Sequence, residues 1–318
     1  MPGIDLHTHT TASDGSLAPR ELVLAAKAAG LEAVAVTDHD TVAGLAEALA
    51  AGAEVGLEVI PGCEVAAEFT AGQNGRDREI HILGLWLPAA PGRLAAVLDE
   101  LVTYRHNRNH IIIEKLRELG CDVTYEAVKD LAGEGSVGRP HIARLLMDKG
   151  YVKGIQEAFD RYLGSKGRAY APKKVLSPGE AIALLKAEGA TVLLAHPGMM
   201  GLSAGALEAE VRRLVDLGLD GLEAYYSEHS PTQTKLFLRL AREMDLAVSG
   251  GSDFHGTPKP YITLGRGRGD LRISRQVLDD LKARRAKQGL PVPVQAEAAA
   301  PSTSQTLAGE SRTSDGKA

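Results

Sequence analysis

Ile4-Asp5-Leu6-His7-Thr8-His9-Thr10 is a short apolar run that ends in His-x-His, and the rest of the chain is read against it. In extended backbone successive side chains alternate sides, so His7 and His9 share one side. Two neutral imidazole nitrogens aimed at one point suit a transition metal. Alone the pair is a weak signal, because an isolated His-x-His is more often incidental. Its weight comes from what later apolar runs carry at their ends.

Thr37-Asp38-His39-Asp40-Thr41 follows Ala33-Val34-Ala35-Val36, and Gly62-Cys63-Glu64 follows Leu57-Glu58-Val59-Ile60. His81 lies inside Glu79-Ile80-His81-Ile82-Leu83-Gly84-Leu85. His196-Pro197 follows Thr191-Val192-Leu193-Leu194-Ala195, and Ser252-Asp253-Phe254-His255 follows Leu246-Ala247-Val248-Ser249-Gly250. Acids and histidines at the ends of many strands are how a parallel β/α barrel builds one site from distant parts of its chain. The expected fold is therefore α/β, a distorted (β/α)7 barrel of seven strands with a small helical insertion domain.

Helices punctuate the strands. Residues 19–29 have helical spacing and stop at Gly30, an alanine-rich helix follows from about residue 42, and Ser177-Pro178-Gly179-Glu180 and Ser230-Pro231-Thr232-Gln233 are capping boxes with proline at the first helical position. Between His81 and Thr191 the alternation breaks for over a hundred residues, too long for a structureless loop. Residues 94–119 read as a long helix, with shorter ones at 140–149 and 155–162. The barrel is assigned to residues 1–97 and 173–288, the helical insertion or cap to 98–172, and a tail to 289–318. Residues 291–318 hold almost no large apolar side chain, cannot offset their ordering entropy, and are expected to be disordered.

Composition bounds the rest. The 318 residues are 44% hydrophobic but only 4% aromatic, so the core must be aliphatic. A net charge of −5 gives no global attraction to nucleic acid or to an anionic membrane, and any phosphate must be held locally. Two distant cysteines, Cys63 and Cys121, argue against a disulfide framework. With no signal peptide and no apolar run long enough to span a bilayer, the expected location is cytoplasmic.

The order and wording of these motifs resemble the PHP (polymerase and histidinol phosphatase) family of metal-dependent phosphoesterases. The likeness is greatest to the bacterial branch of nucleoside 3′,5′-bisphosphate and AMP phosphatases and a 5′-to-3′ exoribonuclease, and it runs to about residue 285. It implies nine metal ligands: His7, His9, Asp14, His39, Glu64, His81, His196, Asp253 and His255. One catalytic zinc uses about three protein side chains plus water, so nine imply two or three divalent ions, Mn2+, Fe2+ or Zn2+. By resemblance, His7, His9, Glu64 and Asp253 hold one metal, Glu64 bridges to a second on His81 and His196, and Asp14, His39 and His255 hold a third. Many family members carry His where this chain has Asp14. Glu64, Asp253 and His196 are the expected catalytic residues, and a hydroxide shared between cations is the expected nucleophile. Asp5, Asp38 and Asp40 are expected to orient imidazoles from behind, with Asp40 or Thr41 capping the next helix as the equal alternative.

Gly138-Arg139-Pro140-His141 places Arg139 and His141 at a helix N-terminus, where free amides favour an anion. The resemblance implies that this motif binds a substrate phosphate, and the basic stretch around Arg168 could line the same cleft. His106, His110 and His229 fall outside the metal pattern, His106 and His110 reading as an exposed helix face. The expected activity is hydrolysis of nucleotide monophosphate esters or of 5′-phosphorylated RNA ends. The expected partner is a small nucleotide or short oligonucleotide, with no membrane and no stable protein partner. A histidinol-phosphatase-like enzyme, an amidohydrolase-like metal hydrolase and a non-catalytic barrel are the alternatives.

Overall fold

The structure is a computed structural model, and it describes residues 3–70, 77–132, 137–172 and 174–292. Seven strands form one sheet in sequence order: β1 (Ile4–Asp5), β2 (Ala33–Val36), β3 (Glu58–Thr70), β4 (Asp77–Leu85), β5 (Thr191–Leu194), β6 (Gly221–Tyr226) and β7 (Ala247–Gly251). The last strand returns to the first, because Leu6 N–H donates to Gly250 O at 3.1 Å and Asp253 N–H to His7 O at 2.9 Å. The sheet is thus a nearly closed barrel.

Closure needs a residue without a side chain. A Cβ on Gly251 would lie 2.2 Å from His7 Cβ, so glycine alone lets β7 come this close to the His-x-His segment. Gly251→Ala is expected to destabilise by at least the upper end of overpacking costs, about 3 kcal/mol, measured by denaturant titration. Wild-type stability would show that the closure tolerates a methyl group.

The strands are not all parallel. β1–β2, β2–β3, β5–β6 and β6–β7 are, but β4 runs antiparallel to both neighbours, from Gly62↔Leu85 to Thr70↔Asp77 on one side and Ile82↔Leu194 to Leu85↔Thr191 on the other. Six residues separate β3 from β4, too few for the crossover that a parallel pair requires. The antiparallel strand is where the seven-stranded barrel departs from a regular β/α repeat, and β3 is a 13-residue strand rather than a short run ending at Ile60.

Period-two alternation sorts the side chains. Ala33, Ala35, Leu83, Leu85, Leu193 and Ala195 pack inside the barrel, while Val34, Val36, Ile80, Ile82, Val192 and Leu194 pack outward against helices. His81 shares parity with Leu83 and Leu85, and Glu64 with Ile60, so both face inward above the apolar plug.

Helices α1 (Pro19–Ala28), α2 (Leu45–Val55), α7 (Pro178–Ala187), α8 (Ala204–Asp216) and α9 (Pro231–Glu243) cover the outer face. Ser177 and Ser230 cap α7 and α9 by accepting from Glu180 N–H and Gln233 N–H. The alanine-rich α2 starts at Leu45 behind Gly44, not at residue 42; neither Asp40 nor Thr41 is its cap. Between β4 and β5 lie α3 (Gly92–Glu118), α4 (Tyr125–Ala132), α5 (Arg139–Asp148), α6 (Ile155–Ala158) and a π-helical turn at Phe159–Leu163. Buried residues from Ile112 to Ala171 form a hydrophobic cluster of their own. A further helix, α10 (Arg275–Lys287), seals the barrel with Leu278 and Leu281 packed on Ile4 and Leu6. The expectation for residues 289–318 falls largely on 293–318, which lie outside the described residues.

Candidate metal centre

Glu64 is fully buried at the barrel mouth, and five imidazoles surround it. His81 Nδ1 and His196 Nε2 each lie 2.9 Å from its Oε1. His7 Nε2, His9 Nε2 and His39 Nδ1 lie 3.1, 3.2 and 3.0 Å from its Oε2. The carboxylate therefore has one group of imidazoles on each oxygen. Asp253 Oδ1 adds to the second group, 3.2 Å from His9 Nε2 and 3.8 Å from His7 Nε2. Asp14 Oδ1 approaches His255 Nε2 at 3.3 Å and His9 Nδ1 at 3.8 Å.

Three tight ligand sets result: His7, His9, Glu64 and Asp253; His39, Glu64 and His81; and His9, Asp14, His39 and His255. His196 joins through Glu64 Oε1 and lies outside these sets. His39 and His9 each stand in two.

Several of these atoms lack ordinary partners. His7 Nε2, both ring nitrogens of His9 and Glu64 Oε2 are buried without a hydrogen bond, since their close approaches miss hydrogen-bond geometry. An unsatisfied buried polar atom costs about 1–3 kcal/mol, and coordination to a cation removes that cost. The residues present thus fit divalent metal ions, as neutral imidazoles and carboxylates do.

The charge pattern agrees. Burial alone would raise the Glu64 carboxyl, but the fields of His39, His7 and His81 and the bond to His196 hold it well below its usual range. Asp253 is likewise held low against its burial by His9 and His7. Burial opposes protonation of His9, yet Asp253 and Glu64 hold its imidazole up at about 9. His39 goes the other way, to about 3, driven by enclosure against the pull of Glu64 and helped by His9 and His81. Ionised carboxylates facing proton-holding imidazoles make a site that demands positive charge. A bound cation must displace those protons.

Two of the proposed ligands are among the described non-glycine residues at uncommon backbone angles. Asp253 has φ +57° and His196 φ +26°, and such strain in non-glycine residues persists where the surroundings fix it, often at functional sites.

The supporting shell differs from expectation. Asp38 does not orient a ring; it accepts from Thr10 N–H at 2.7 Å, Thr10 Oγ1 at 2.8 Å and Ser13 Oγ at 2.6 Å, so it braces the loop that carries Asp14. Asp5 accepts from Ser252 N–H and Oγ and from Gly265 N–H, clasping the two ends of the barrel, and its carboxyl is pushed up to about 6 by burial. Asp40 accepts from Ala66 N–H at 3.0 Å.

Glu223, to which no sequence motif pointed, orients a ring. Its Oε1 accepts from His7 Nδ1 at 3.0 Å, leaving the Nε2 lone pair toward Glu64, and its Oε2 accepts from His196 N–H at 2.7 Å. A charged residue on the inward parity of Gly221-Leu222-Glu223-Ala224 was the available signal. Tyr226 Oη and Lys259 Nζ, also missed, donate to Asp253 Oδ2 at 2.9 and 2.6 Å. Loss of such an outer carboxylate typically costs about 10- to 100-fold in metal affinity, so Glu223→Gln is expected to weaken metal binding by that factor in a competitive chelator titration. Unchanged affinity would remove Glu223 from the centre.

The expected substrate residues belong to the segment between β4 and β5. Arg139 donates to Leu163 O at 3.2 Å with its guanidinium 5.6 Å from the Phe159 ring centroid, His141 Nδ1 accepts from Gly138 N–H, and Arg168 is exposed. None of the three lines the cavity of about 260 Å³ that opens over His39, His81, His196, Tyr226, Asp253 and Lys259. His229 accepts from Gly198 N–H at 3.2 Å and so holds the turn after His196. His106 is exposed and His110 half-buried on α3, as the exposed-face reading expects, and His106 pairs there with Tyr125 Oη at 2.9 Å and with His110 Nε2 at 3.1 Å.

A seven-stranded α/β barrel whose mouth gathers histidines around a shared buried glutamate defines a hydrolase-type metal-site scaffold. The chain belongs to the PHP domain family, whose model matches residues 5–173. It is 37% identical to a 5′-3′ exoribonuclease of Haemophilus influenzae, over 82% of this chain and 93% of that protein. It is 31% identical to a 3′,5′-nucleoside bisphosphate phosphatase of Chromobacterium violaceum, over 89% and 98%. Among solved structures, a Bifidobacterium adolescentis protein assigned as a metal-dependent phosphoesterase superposes with a TM-score of 0.66 at 31% identity, covering 89% of this chain and 96% of that one. Among the described residues no helix is long and apolar enough to cross a membrane.

Proposed function

We propose that this chain is a metal-dependent phosphoesterase that hydrolyses phosphate monoesters of nucleotides, such as nucleoside 3′,5′-bisphosphates and AMP-like nucleotides, or 5′-phosphorylated RNA ends. The observation that carries it is the division of five imidazoles between the two oxygens of buried Glu64, the arrangement a carboxylate shared by two cations requires. The relatives named as bisphosphate phosphatase and exoribonuclease supply the substrate class. Glu64 with His7, His9, Asp253, His81 and His196 would hold two divalent ions, Mn2+, Fe2+ or Zn2+, and Asp14, His39 and His255 would hold a third. Bound there, they supply Lewis acidity toward a phosphoryl group and activation of water.

The protein's own residues do the rest. Glu64 holds the ligand groups in register, Glu223 fixes the His7 tautomer, and the apolar plug beneath them keeps water out from below. Residues 98–172 serve as a cap, in which Arg139, His141 and Arg168 hold the second anionic group of a bisphosphate. Two buried free cysteines support work in a reducing compartment such as the cytoplasm, and the relatives' names support a nucleotide or short oligonucleotide as the substrate.

Phosphate release from p-nitrophenyl phosphate, AMP, adenosine 3′,5′-bisphosphate and histidinol phosphate, together with release of nucleoside monophosphates from a 5′-phosphorylated oligoribonucleotide, tests the reading. Preference for histidinol phosphate, or no release from any ester, would overturn it. A charge-assisted hydrogen bond contributes about 1.5–3 kcal/mol, so Arg139→Ala is expected to raise KM for the bisphosphate roughly 10- to 100-fold more than for p-nitrophenyl phosphate. Equal effects on the two esters would take the cap arginine out of substrate binding.

A further inference from the structure

Beyond β7 the chain turns back over the metal centre through Phe254-His255-Gly256-Thr257-Pro258-Lys259. Gly256 takes φ +74° and its carbonyl accepts from Lys259 N–H at 3.1 Å, a tight turn that fixes where the lysine starts. Lys259 Nζ reaches Asp253 Oδ2 at 2.6 Å, and Tyr226 Oη donates to the same oxygen at 2.9 Å. The other oxygen of Asp253 faces His9 and His7. The two oxygens of Asp253 thus do different work: Oδ1 belongs to the ligand set, and Oδ2 is held by a phenol and an ammonium.

An ammonium carries three donors, and Asp253 takes one. The Lys259 side chain is 32% exposed and lines the same cavity as His39, His81 and His196. Its remaining donors are therefore available on the wall of the space above the ligands.

We infer that Lys259 binds a non-bridging phosphoryl oxygen of the substrate, and of the phosphate product, while staying anchored on Asp253. The inference rests on the phosphoesterase reading of this centre and adds to it a protein cation that sequence motifs did not single out. Anchoring on a ligand carboxylate fixes an otherwise flexible four-carbon side chain, so little of its rotamer entropy is lost when the phosphate arrives.

The test uses the full chain loaded with manganese, as wild type, Lys259→Met and Lys259→Arg, with inorganic phosphate as the probe. Manganese content is measured by elemental analysis, phosphate affinity by calorimetric titration, and KM and kcat on p-nitrophenyl phosphate. Removing one charge-assisted contact is expected to weaken phosphate binding about 10- to 100-fold in Lys259→Met with manganese content at the wild-type level, and Lys259→Arg is expected to recover most of it. Wild-type phosphate affinity in Lys259→Met would overturn the inference. So would a parallel loss of manganese, which would confine Lys259 to holding Asp253. If the wild type itself turns over no phosphate ester, the phosphoesterase reading falls and this inference with it; turnover by wild type with unaltered phosphate binding in Lys259→Met removes the lysine alone.

Discussion

Glu64→Gln is expected to lose at least one metal ion per chain and to lower kcat/KM well beyond the roughly 10- to 100-fold typical of an outer-shell partner. The substitution keeps shape and volume but removes the charge and turns one of the two oxygens into an N–H donor. His81 and His196 face one oxygen, and His7, His9 and His39 the other, so the amide cannot serve both groups in either orientation. The backbone pairing of β3 with β2 and β4 does not involve this side chain, and the variant should fold. Elemental analysis with steady-state kinetics checks the expectation. A variant with full metal content and wild-type turnover would mean that Glu64 is not shared between cations.

Chelation should have the other large effect. Activity is expected to vanish in metal-free protein and to return on adding back Mn2+, Fe2+ or Zn2+, each tried alone. Stability should follow, because a ligand that binds only the native state adds about 2.7 kcal/mol at a hundredfold excess over its Kd. For a chain of this size that corresponds to a drop in Tm of roughly 4 °C on stripping. The metal-free fold should persist, since three hydrophobic clusters bury the sheet and helices independently of the mouth. Turnover that survives verified removal of metal would rule out the proposed chemistry.

Much of the barrel was legible because its signals are local. Capping boxes at Ser177 and Ser230 and the alternation of Ala33-Val34-Ala35-Val36 place helices and strands from neighbours in sequence. Strand direction was less legible. An apolar run has the same alternation whichever way it is traversed, so only the short connection from Thr70 to Asp77 marked β4 as antiparallel. Helix α10 was missed because its 13 residues are strongly charged and bury only Leu278, Leu281 and Arg285.

The amino-acid order by itself determined which residue types arrive at the barrel mouth: two imidazoles after the first apolar run, a carboxylate after the third, an aspartate and an imidazole after the last. Those follow from composition and from a two-residue repeat, which any extended segment obeys. Only the tertiary structure decided who faces whom: that Glu64 divides its oxygens between imidazoles up to 132 residues away, that Glu223 rather than Asp5 or Asp38 fixes His7 from 216 residues away, and that Lys259 and Tyr226 share one oxygen of Asp253. The physical reason is register. Which atoms meet across a closed sheet depends on how far each strand slides against its neighbours, a sum of packing choices made around the whole barrel, and no short stretch of chain encodes that sum.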